Sequence, residues 1–272
     1  MPLETQQRVA LAPAPAFASA DAPAPAFPSA TAPAAAQAQV PAPVMVPPSL
    51  PVLPVLQVFA RAPVPGQCKT RLIPAVGTAA AAAELHQRLV RHCLRAADAW
   101  QRATPRARVE LWCAPDIDHP FFAACARDFN IALKPQTGTD LGARMWLALC
   151  GALVRGERPV LIGTDCPWLT GDSISAAFAA LDGAAAVFAP AHDGGYVLTG
   201  LARAMPELFA GIPWSTGNVM AATRQAASRL NRVGRPARLA ELPALHDIDT
   251  PADLARLQRD PQLAHLLEGL TP

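Results

Sequence analysis

The stretch Phe59-Ala-Arg-Ala-Pro-Val-Pro-Gly-Gln-Cys-Lys-Thr-Arg-Leu72 places cationic residues among turn-forming residues, directly after a short apolar run at 55–59. The apolar run is typical of a buried strand, and a long helical pattern begins at Gly77. A strand, a Pro/Gly turn and a helix in this order can hold a phosphate group, because backbone amides and fixed cations converge at the turn. The loop alone is equally compatible with ordinary surface cations. The sequence predicts a nucleotide-phosphate loop that contains Arg61, Gly66, Lys69 and Arg71.

The first part of the 272-residue chain has a composition of its own. Residues 9–54 are mostly Ala and Pro, and Ala-Pro-Ala-Pro-Ala-Phe occurs at 12–17 and again at 22–27. Proline lacks the amide donor that helices and sheets need, so we predict a disordered Ala/Pro-rich tail at 1–54. The remaining residues, 55–272, are enough for a single folded domain. The prolines also interrupt any apolar span, so we expect neither an export signal nor a membrane helix.

Charge and cysteine content argue against several classes of function. The formal net charge is +2 and the pI is near 8.3, with no interleaving of aromatic and basic residues, so no nucleic-acid partner is expected. The six cysteines are scattered without a Cys-x-x-Cys pair, which argues against a zinc cage and a disulfide framework and favours a cytoplasmic location. Cys68 and Cys166 flank candidate site residues, but an isolated thiol is more often a small apolar side chain.

Strand-like and helix-like patterns alternate after residue 55. This alternation predicts the α/β class, with a mostly parallel central sheet covered by helices on both faces in a three-layer α/β/α arrangement. Residues 159–163 are continuously apolar, which is typical of a central strand. The predicted strands are 55–59, 108–113, 131–134, 159–163, 185–190 and 196–201, and the predicted helices are 79–102, 120–128, 140–154, 173–181, 218–230 and 251–258.

The segment Leu161-Ile-Gly-Thr-Asp-Cys-Pro-Trp-Leu169 places Asp165 just past the carboxyl end of the predicted central strand. Open α/β sheets bind ligands at that edge. We therefore predict that Asp165 is catalytic and is a metal ligand, since Mg²⁺ or Mn²⁺ is commonly held by one or two carboxylates together with substrate phosphates. A purely local role, in which Asp165 caps the following turn, remains open.

A second carboxylate lies in Ala189-Pro-Ala-His-Asp-Gly-Gly-Tyr196. Adjacent glycines let the backbone approach a ligand closely, and Asp-Gly is also a strong hairpin signal, so both roles are expected together. We predict that Asp193 is catalytic and that Gly194, Gly195 and Tyr196 contact the substrate. His192 is either a base or a bystander, and we favour the bystander.

The segment Leu245-His-Asp-Ile-Asp-Thr-Pro-Ala-Asp-Leu254 combines a helix start with a cluster of acids. Thr250, Pro251 and Asp253 form a helix N-terminus pattern, so part of the acidity is structural. Asp247 and Asp249 are not explained by capping. Either could complete a metal site with Asp165, and we choose Asp249.

Two further segments carry polar groups ahead of helices. In Gln136-Thr-Gly-Thr-Asp140 we predict that Gln136 and Gly138 contact the nucleotide, while Asp140 is a helix N-cap. In Ile212-Pro-Trp-Ser-Thr216 we predict substrate contacts from Trp214, Ser215 and Thr216, although core packing is the commoner role of a tryptophan.

Taken together, the motifs resemble those of a known family. The DUF2064 proteins of bacteria are GT-A-like transferases described as radical-SAM/selenodomain-associated transferase 1 or arsenosugar-type glycosyltransferases. Their relatives include nucleotide-diphospho-sugar transferases and a guanylyltransferase that acts on 2-phospholactate. The resemblance spans residues 55–260 and rests on Phe59-Ala-Arg-Ala-Pro-Val-Pro-Gly66, Lys69-Thr-Arg-Leu72, Gly138-x-Asp-Leu-Gly-x-Arg-Met145, Ile162-Gly-Thr-Asp-Cys-Pro167, Pro190-Ala-x-Asp-Gly-Gly-Tyr-x-Leu-x-Gly-Leu201, Trp214-Ser-Thr216 and Asp247-x-Asp-Thr-Pro-x-Asp-Leu254.

The resemblance implies a GT-A, nucleotide-diphospho-sugar transferase-like fold with a metal-assisted nucleotide site. It matches Lys69 and Arg71 to the phosphate-binding loop of the family, Asp165 to its metal carboxylate, and Asp193 and Asp249 to its other pocket acids. We therefore expect a cytoplasmic glycosyltransferase with Mg²⁺ or Mn²⁺ as cofactor, a nucleotide-sugar donor and a small-molecule acceptor that the sequence does not identify. Two alternatives remain: a nucleotidyltransferase that joins a nucleoside triphosphate to a small phosphorylated acceptor, and a non-catalytic nucleotide-binding module.

Overall fold

The computed structural model describes residues 52–270. The predicted Ala/Pro-rich tail, 1–54, lies outside the described residues apart from its last three. The first strand begins at Leu53, two residues before the predicted start of the domain. Among residues 52–270 no helix is both long and apolar enough to cross a membrane.

Residues 52–270 contain seven strands and seven α-helices. The strands are β1 (Leu53–Arg61), β2 (Arg108–Ala114), β3 (Ala132–Pro135), β4 (Glu157–Gly163), β5 (Ala186–Pro190), β6 (Tyr196–Leu201) and β7 (Leu239–Glu241). The helices are α1 (Ile73–Val76), α2 (Ala79–Ala103), α3 (Pro120–Asp128), α4 (Leu141–Val154), α5 (Gly171–Ala180), α6 (Val219–Arg232) and α7 (Pro251–Arg259). All six predicted strands and all six predicted helices are confirmed, with every end displaced by at most two residues.

The strands form one sheet in the order β3-β2-β1-β4-β6-β5-β7. Strand β6 runs antiparallel to both its neighbours, and every other neighbouring pair is parallel. Six strands therefore point the same way, and their carboxyl ends meet at one edge of the sheet. The Asp-Gly-Gly segment between β5 and β6 makes the hairpin that the sequence predicts.

Helices cover both faces of the sheet. Leu56 and Val58 of β1 pack with α2, α3 and α5 in one core, while Phe59 of the same strand packs with α4 and α6 in the other. Successive strand residues point to opposite faces, so a strand with buried apolar residues on both faces requires helices on both sides. The predicted three-layer α/β/α fold with a mostly parallel sheet is confirmed. A third cluster joins α1 and α2 to α7.

Two elements were not predicted. Strand β7 has three residues and pairs only with β5, and α1 is a single turn that starts directly after the phosphate-loop candidate. Segments this short hold too few residues for a period of 2 or 3.6 to be recognised in the sequence.

Candidate active site

A cleft of about 670 Å³ lies at the carboxyl edge of the parallel strands. Arg61 is the last residue of β1, Asp165 follows β4 by two residues, and Asp193 follows β5 by three. The chain after β7 pairs with the same edge, since Leu245 bridges to Ala191, and it then carries Asp247 and Asp249 into the cleft. The topology of the sheet thus brings together groups that are up to 188 positions apart in the sequence.

Lys69 is almost completely buried among acidic groups of this cleft, with 4% of its side chain exposed. Its Nζ atom donates hydrogen bonds to Ile248 O at 2.6 Å and to Asp249 Oδ1 at 2.9 Å. It also lies 2.9 Å from Asp165 Oδ1. Burial alone would lower the pKa of Lys69, but the two carboxylates outweigh it and raise the pKa above its ordinary value, so Lys69 is an ammonium ion.

Asp165 presents one oxygen to the protein and one to the cleft. Oδ1 is buried beside Lys69, whereas 46% of the whole side chain is exposed. Burial would raise the pKa of Asp165, but the charge of Lys69 outweighs it and holds the pKa below its usual range. The backbone is fixed as well, because Ile248 N donates to Asp165 O at 2.9 Å. Asp165 is therefore an ionised carboxylate at a defined position.

His86 of α2 lies behind Asp165. Its Nε2 is 3.0 Å from Arg61 O, and its Nδ1 is 3.8 Å from Asp165 Oδ1. Burial lowers the pKa of His86 despite the nearby carboxylate, so the ring is neutral near pH 7 and Nε2 donates to the carbonyl. His86 Nδ1 has no hydrogen-bond partner among the described residues, and Asp165 Oδ1 has only the Lys69 ammonium beside it. An unpartnered imidazole nitrogen thus faces the carboxylate oxygen that pairs with Lys69.

Asp247 adds a third acid to the same wall. Burial, together with repulsion from Asp193 and Asp249, raises the pKa of Asp247 to about 6. Crowding of this kind is typical of functional sites, where carboxylates are kept close at a cost in stability. The aspartates therefore give this wall negative charge that Lys69 does not neutralise completely.

The turn that carries Asp193 is fixed by its glycines. Asp193 Oδ1 accepts a hydrogen bond from Gly195 N at 2.8 Å. Gly194 has φ +92°, and a Cβ there would overlap the backbone of Gly217. Gly194 O also accepts from Met220 N at 2.9 Å, which ties the turn to the start of α6. Gly194 thus packs the Asp193 turn against Gly217 and the start of α6 without lining the cleft.

Trp214 forms part of the opposite wall. Its indole rests on Gly142 of α4, where a Cβ would overlap the ring, and it meets the Tyr196 ring edge-on at 6.2 Å between centroids. Trp214 is half-buried. Part of its ring packs against the protein, and part lines the cleft. Ser215 has φ +63°, and Thr216 Oγ1 donates to Pro213 O at 2.7 Å, which shapes the turn that follows.

A smaller cavity of about 320 Å³ adjoins the cleft, with Arg61, His86 and Asp165 on its boundary. Gln136 lines it, but the Gln136 amide nitrogen donates to Ala60 O and Trp112 O, which ties the ends of β1 and β2 together. Its amide oxygen is the remaining group for contact with a ligand. Asp140 caps α4 through Ala143 N at 2.8 Å, as predicted.

Most of the predicted site residues meet in the cleft. Those that line it are Arg61, Lys69, Arg71, Asp165, Asp193, Gly195, Tyr196, Trp214, Ser215, Thr216 and Asp249. Gln136 borders the adjoining cavity instead, and the glycines at 66, 138 and 194 line neither space. Each has a positive φ angle, which glycine adopts easily, so these glycines shape the loops that contain them. His192 is exposed and stacks on His246 with 3.9 Å between ring centroids, outside the cleft lining.

The sequence did not indicate His86 as a site residue, because it occurs within an amphipathic helix and reads as part of the buried face. A polar residue at a position where the helix period demands an apolar one was the available signal. Asp247 was noted in the acidic segment, but Asp249 was chosen in its place as metal ligand.

The oxygen groups of the cleft suit a hard divalent cation. Asp165 and Asp249 each place an oxygen 2.9 Å from one cationic nitrogen, and Asp165 Oδ1 is otherwise unsatisfied. Within residues 52–270, however, no group of three or more His, Cys, Asp or Glu side chains is arranged around a common point as a ready metal site. The Lys69 ammonium holds the position between the two carboxylates.

The sequence profile of one family matches residues 97–216, and that family is described as an uncharacterized protein conserved in bacteria, DUF2064. This match confirms the resemblance to DUF2064. The matched stretch includes Asp165, Asp193 and Trp214 but ends before Asp249 and begins after Lys69. The DUF2064 match therefore includes some of the residues that line the cleft and leaves out Lys69 and Asp249.

Solved structures with a similar fold include one from Desulfovibrio desulfuricans G20, which is described as an inferred nucleotide-diphospho-sugar transferase. It is 28% identical, with 79% of this chain and 93% of that chain covered and a TM-score of 0.64. A 4-diphosphocytidyl-2C-methyl-D-erythritol synthase from Anaerococcus prevotii is 14% identical (75% and 96% covered, TM-score 0.48), and a cytidylyltransferase from Leptospira borgpetersenii is 11% identical (81% and 99% covered, TM-score 0.44). No curated protein sequence matches this chain.

The first of these neighbours confirms the predicted nucleotide-diphospho-sugar transferase-like fold, in agreement with the DUF2064 match. The motifs predict a transferase, and the Desulfovibrio protein is described as one too.

Proposed function

We propose that this protein is a divalent-metal-dependent glycosyltransferase that takes a sugar from a nucleotide-diphospho-sugar donor. The main support is that the cationic loop after β1 and the acids after β4, β5 and β7 line one cleft at the carboxyl edge of the sheet. Ligands of open α/β sheets bind at that edge. The similar Desulfovibrio protein is described as an inferred nucleotide-diphospho-sugar transferase, which supports the same donor class for this protein.

The charges of the cleft support a requirement for a cation. Four aspartates line the cleft against three residues with a fixed positive charge, and the neutral His86 adds none. A diphosphate that entered alone would meet a net negative wall. Because Mg²⁺ and Mn²⁺ are bound through carboxylates together with substrate phosphates, we expect such an ion to enter with the nucleotide. Asp165 and Asp249 would hold it, and it would supply Lewis acidity to the departing diphosphate.

Arg61 and Arg71 are the cations best placed for the phosphate oxygens, because the ion pairs of the cleft engage Lys69 rather than either arginine. A guanidinium group binds phosphate oxygens in a bidentate way and would stabilise the charge that builds up as the diphosphate leaves. The same groups would orient the donor before reaction.

Asp193 is the carboxylate that we assign to the acceptor. It is exposed at the tip of the β5–β6 turn, and its position is fixed by the bond from Gly195 N. It makes no ion pair with Lys69. An ionised carboxylate in this position would orient the acceptor hydroxyl and accept its proton.

The test is product analysis with purified protein, Mn²⁺ or Mg²⁺, and a panel of UDP-, GDP- and dTDP-sugars with water as the default acceptor. The proposal predicts release of a nucleoside diphosphate from at least one donor only when the metal is present. The absence of nucleoside diphosphate across the panel would contradict it. Release of pyrophosphate from a nucleoside triphosphate would identify a nucleotidyltransferase instead, because the bond broken is then at the α-phosphorus.

Replacement of the assigned acceptor carboxylate tests its role. Asp193→Asn should lower the rate of donor turnover at least about 100-fold, because proton transfer in the transition state contributes that much, with little change in donor affinity. Asp118→Asn is a matched control, since Asp118 is exposed on the loop before α3 and lies outside the cleft lining. An equal loss in both variants, or none in Asp193→Asn, would remove Asp193 from the reaction.

A further inference from the structure

The Nζ atom of Lys69 lies at the position that the acidic groups of the cleft define for a cation. Three oxygens lie within 2.9 Å of it, from Ile248, Asp249 and Asp165. A carbonyl oxygen and two carboxylate oxygens are also the ligand types that a hard divalent cation takes. An ammonium ion and a divalent cation cannot occupy the same oxygen cage together. The two are therefore competitors for one position.

The residue type at this position is unusual for the chain. Of the 23 Lys and Arg residues only two are lysines, Lys69 and Lys134. An ammonium group is a compact point charge on a flexible stem, whereas a guanidinium group is planar and fork-shaped. Only the lysine side chain resembles a metal ion in the size and shape of its charged group, and it can withdraw by rotation of its stem.

A buried nitrogen next to the ammonium has no partner. The His86 side chain is only 6% exposed, and its Nδ1 lacks a hydrogen-bond partner among residues 52–270 and lies 3.8 Å from Asp165 Oδ1. His86 donates its other nitrogen to a backbone carbonyl, which is the orientation of a histidine whose free nitrogen faces a cation. The Lys69 ammonium pairs with Asp165 Oδ1 and leaves the His86 Nδ1 lone pair without a partner.

The backbone at Lys69 is also held away from its preferred conformation. Its φ and ψ are 49° and 35°, in the left-handed region that few residues other than glycine adopt. Such a conformation persists where surrounding contacts impose it, and the three oxygens that hold the end of the side chain are contacts of this kind. Withdrawal of the ammonium would remove that constraint from the loop.

We propose that Lys69 is an internal counter-cation that holds the position between Asp165 and Asp249 in the free protein and is displaced from it by the divalent cation that accompanies the nucleotide. The released ammonium group then faces the phosphates in the cleft. The proposal rests on the proposed function, since it requires a divalent cation. It adds that the metal position is closed until Lys69 withdraws, so that metal alone binds weakly and metal with nucleotide binds well.

Metal affinity in the absence of nucleotide gives the first test. Lys69→Met keeps an unbranched side chain that is one atom shorter and removes its charge, so Mn²⁺ binding measured by electron paramagnetic resonance should become at least about tenfold tighter than in the wild type. Lys134→Met is the matched control, because it removes the only other lysine, which lies on β3 outside the cleft, and its Mn²⁺ affinity should stay within about twofold of the wild type. Equal or weaker Mn²⁺ binding by Lys69→Met would overturn the proposal.

A second measurement uses the wild-type protein and does not depend on the folding of a variant. The ammonium ¹⁵N–¹H signals of a chain with two lysines can be assigned from the two Lys→Met variants or, where one does not fold, by elimination. On titration with Mg²⁺ alone to millimolar concentration, the Lys69 signal should shift or broaden while the Lys134 signal stays in place. Saturable Mg²⁺ binding by calorimetry with an unchanged Lys69 signal would overturn the proposal.

The outcomes separate this proposal from the proposed function. If neither cation binds to the wild type or to Lys69→Met, the counter-cation proposal fails, while metal-independent release of nucleoside diphosphate would still identify a transferase. If Lys69→Met binds Mn²⁺ more tightly but no donor is turned over by the wild type, the exchange of cations stands and the glycosyltransferase assignment fails.

Discussion

At the residue scale, two glycines decide how closely the walls of the cleft approach. Gly194 lies against the backbone of Gly217, and Gly142 lies under the indole of Trp214. In both places the neighbouring group occupies the volume of a side chain. The sequence signalled a turn at Gly194 through Asp-Gly, but it carried no signal for Gly142, because a glycine inside a helix pattern has no local reason to be there.

Gly194→Ala should destabilise the protein and separate the Asp193 turn from the start of α6. The φ of +92° alone costs about 1–3 kcal/mol for alanine, and overlap with the backbone of Gly217 adds to it. Gly211→Ala isolates the first term, since Gly211 has φ +68° and no atom within 4 Å of a Cβ. Urea unfolding should show the larger loss for Gly194→Ala. Equal losses would mean that the close approach is absent.

Gly142→Ala should displace Trp214 and weaken donor binding at least about tenfold if the indole forms part of the substrate site. Gly151→Ala on the same helix is the control, because its Cβ would meet only Arg155 Nη1 at 3.7 Å. It should stabilise the protein by up to about 1 kcal/mol through helix propensity. Tryptophan fluorescence reports the displacement of Trp214, and donor titration reports the loss of affinity. Unchanged donor affinity in Gly142→Ala would place Trp214 in the core only.

Contacts between residues close in the sequence were predictable, whereas contacts between distant residues were not. The N-cap role of Asp140 and the Thr250–Asp253 box depend on residues three positions apart, and both are present. The contact of His86 with Asp165 joins residues 79 positions apart and depends on how α2 lies against the sheet. No period or motif in the sequence encodes that distance.

At the scale of elements, the site depends on how the loops after β4 and β7 are held together. Trp168 Nε1, in the segment after Asp165, donates to Asp260 Oδ2 at 2.9 Å, at the end of α7. Ile248 N donates to Asp165 O at 2.9 Å in the same region. The helices and long strands were predicted because their apolar periods extend over many residues, whereas these connections between loops have no period.

The bond between Trp168 and Asp260 makes stability depend on pH in a predictable direction. Hydrogen bonds, chiefly that from Trp168, hold the pKa of Asp260 below its usual range, so the carboxylate stabilises the fold above the unfolded pKa of about 3.9 and loses this effect as the pH falls below it. Asp260→Asn should therefore melt at a lower temperature than the wild type at pH 7, with the gap narrowing toward pH 3. Thermal melts of both proteins between pH 7 and pH 3 measure this difference. A gap that stays constant or widens on acidification would show that the bond contributes nothing.

At the scale of the whole molecule, the mostly parallel sheet explains why the cations near residue 70 and the acids near 165, 193 and 249 meet. Six strands point the same way, so the residues that follow them share one edge. The sequence predicted this edge because the motifs follow predicted strands. It did not predict that Lys69 pairs with the acids instead of standing free, since that depends on the side-chain packing of three separate loops.

The central claim is that this edge forms a metal-assisted nucleotide site, and its most direct test is a thermal-shift measurement with nucleotides and nucleotide-sugars, with and without Mn²⁺, on the wild type and Asp165→Asn. At about 100 times its dissociation constant a ligand adds about 2.7 kcal/mol, which raises the melting temperature by roughly 5–10 °C for a domain of this size. We expect such a rise for at least one nucleotide with Mn²⁺ in the wild type, a much smaller one without the metal, and none in Asp165→Asn. The absence of any nucleotide-dependent rise in the wild type, or an equal rise in Asp165→Asn, would contradict the account.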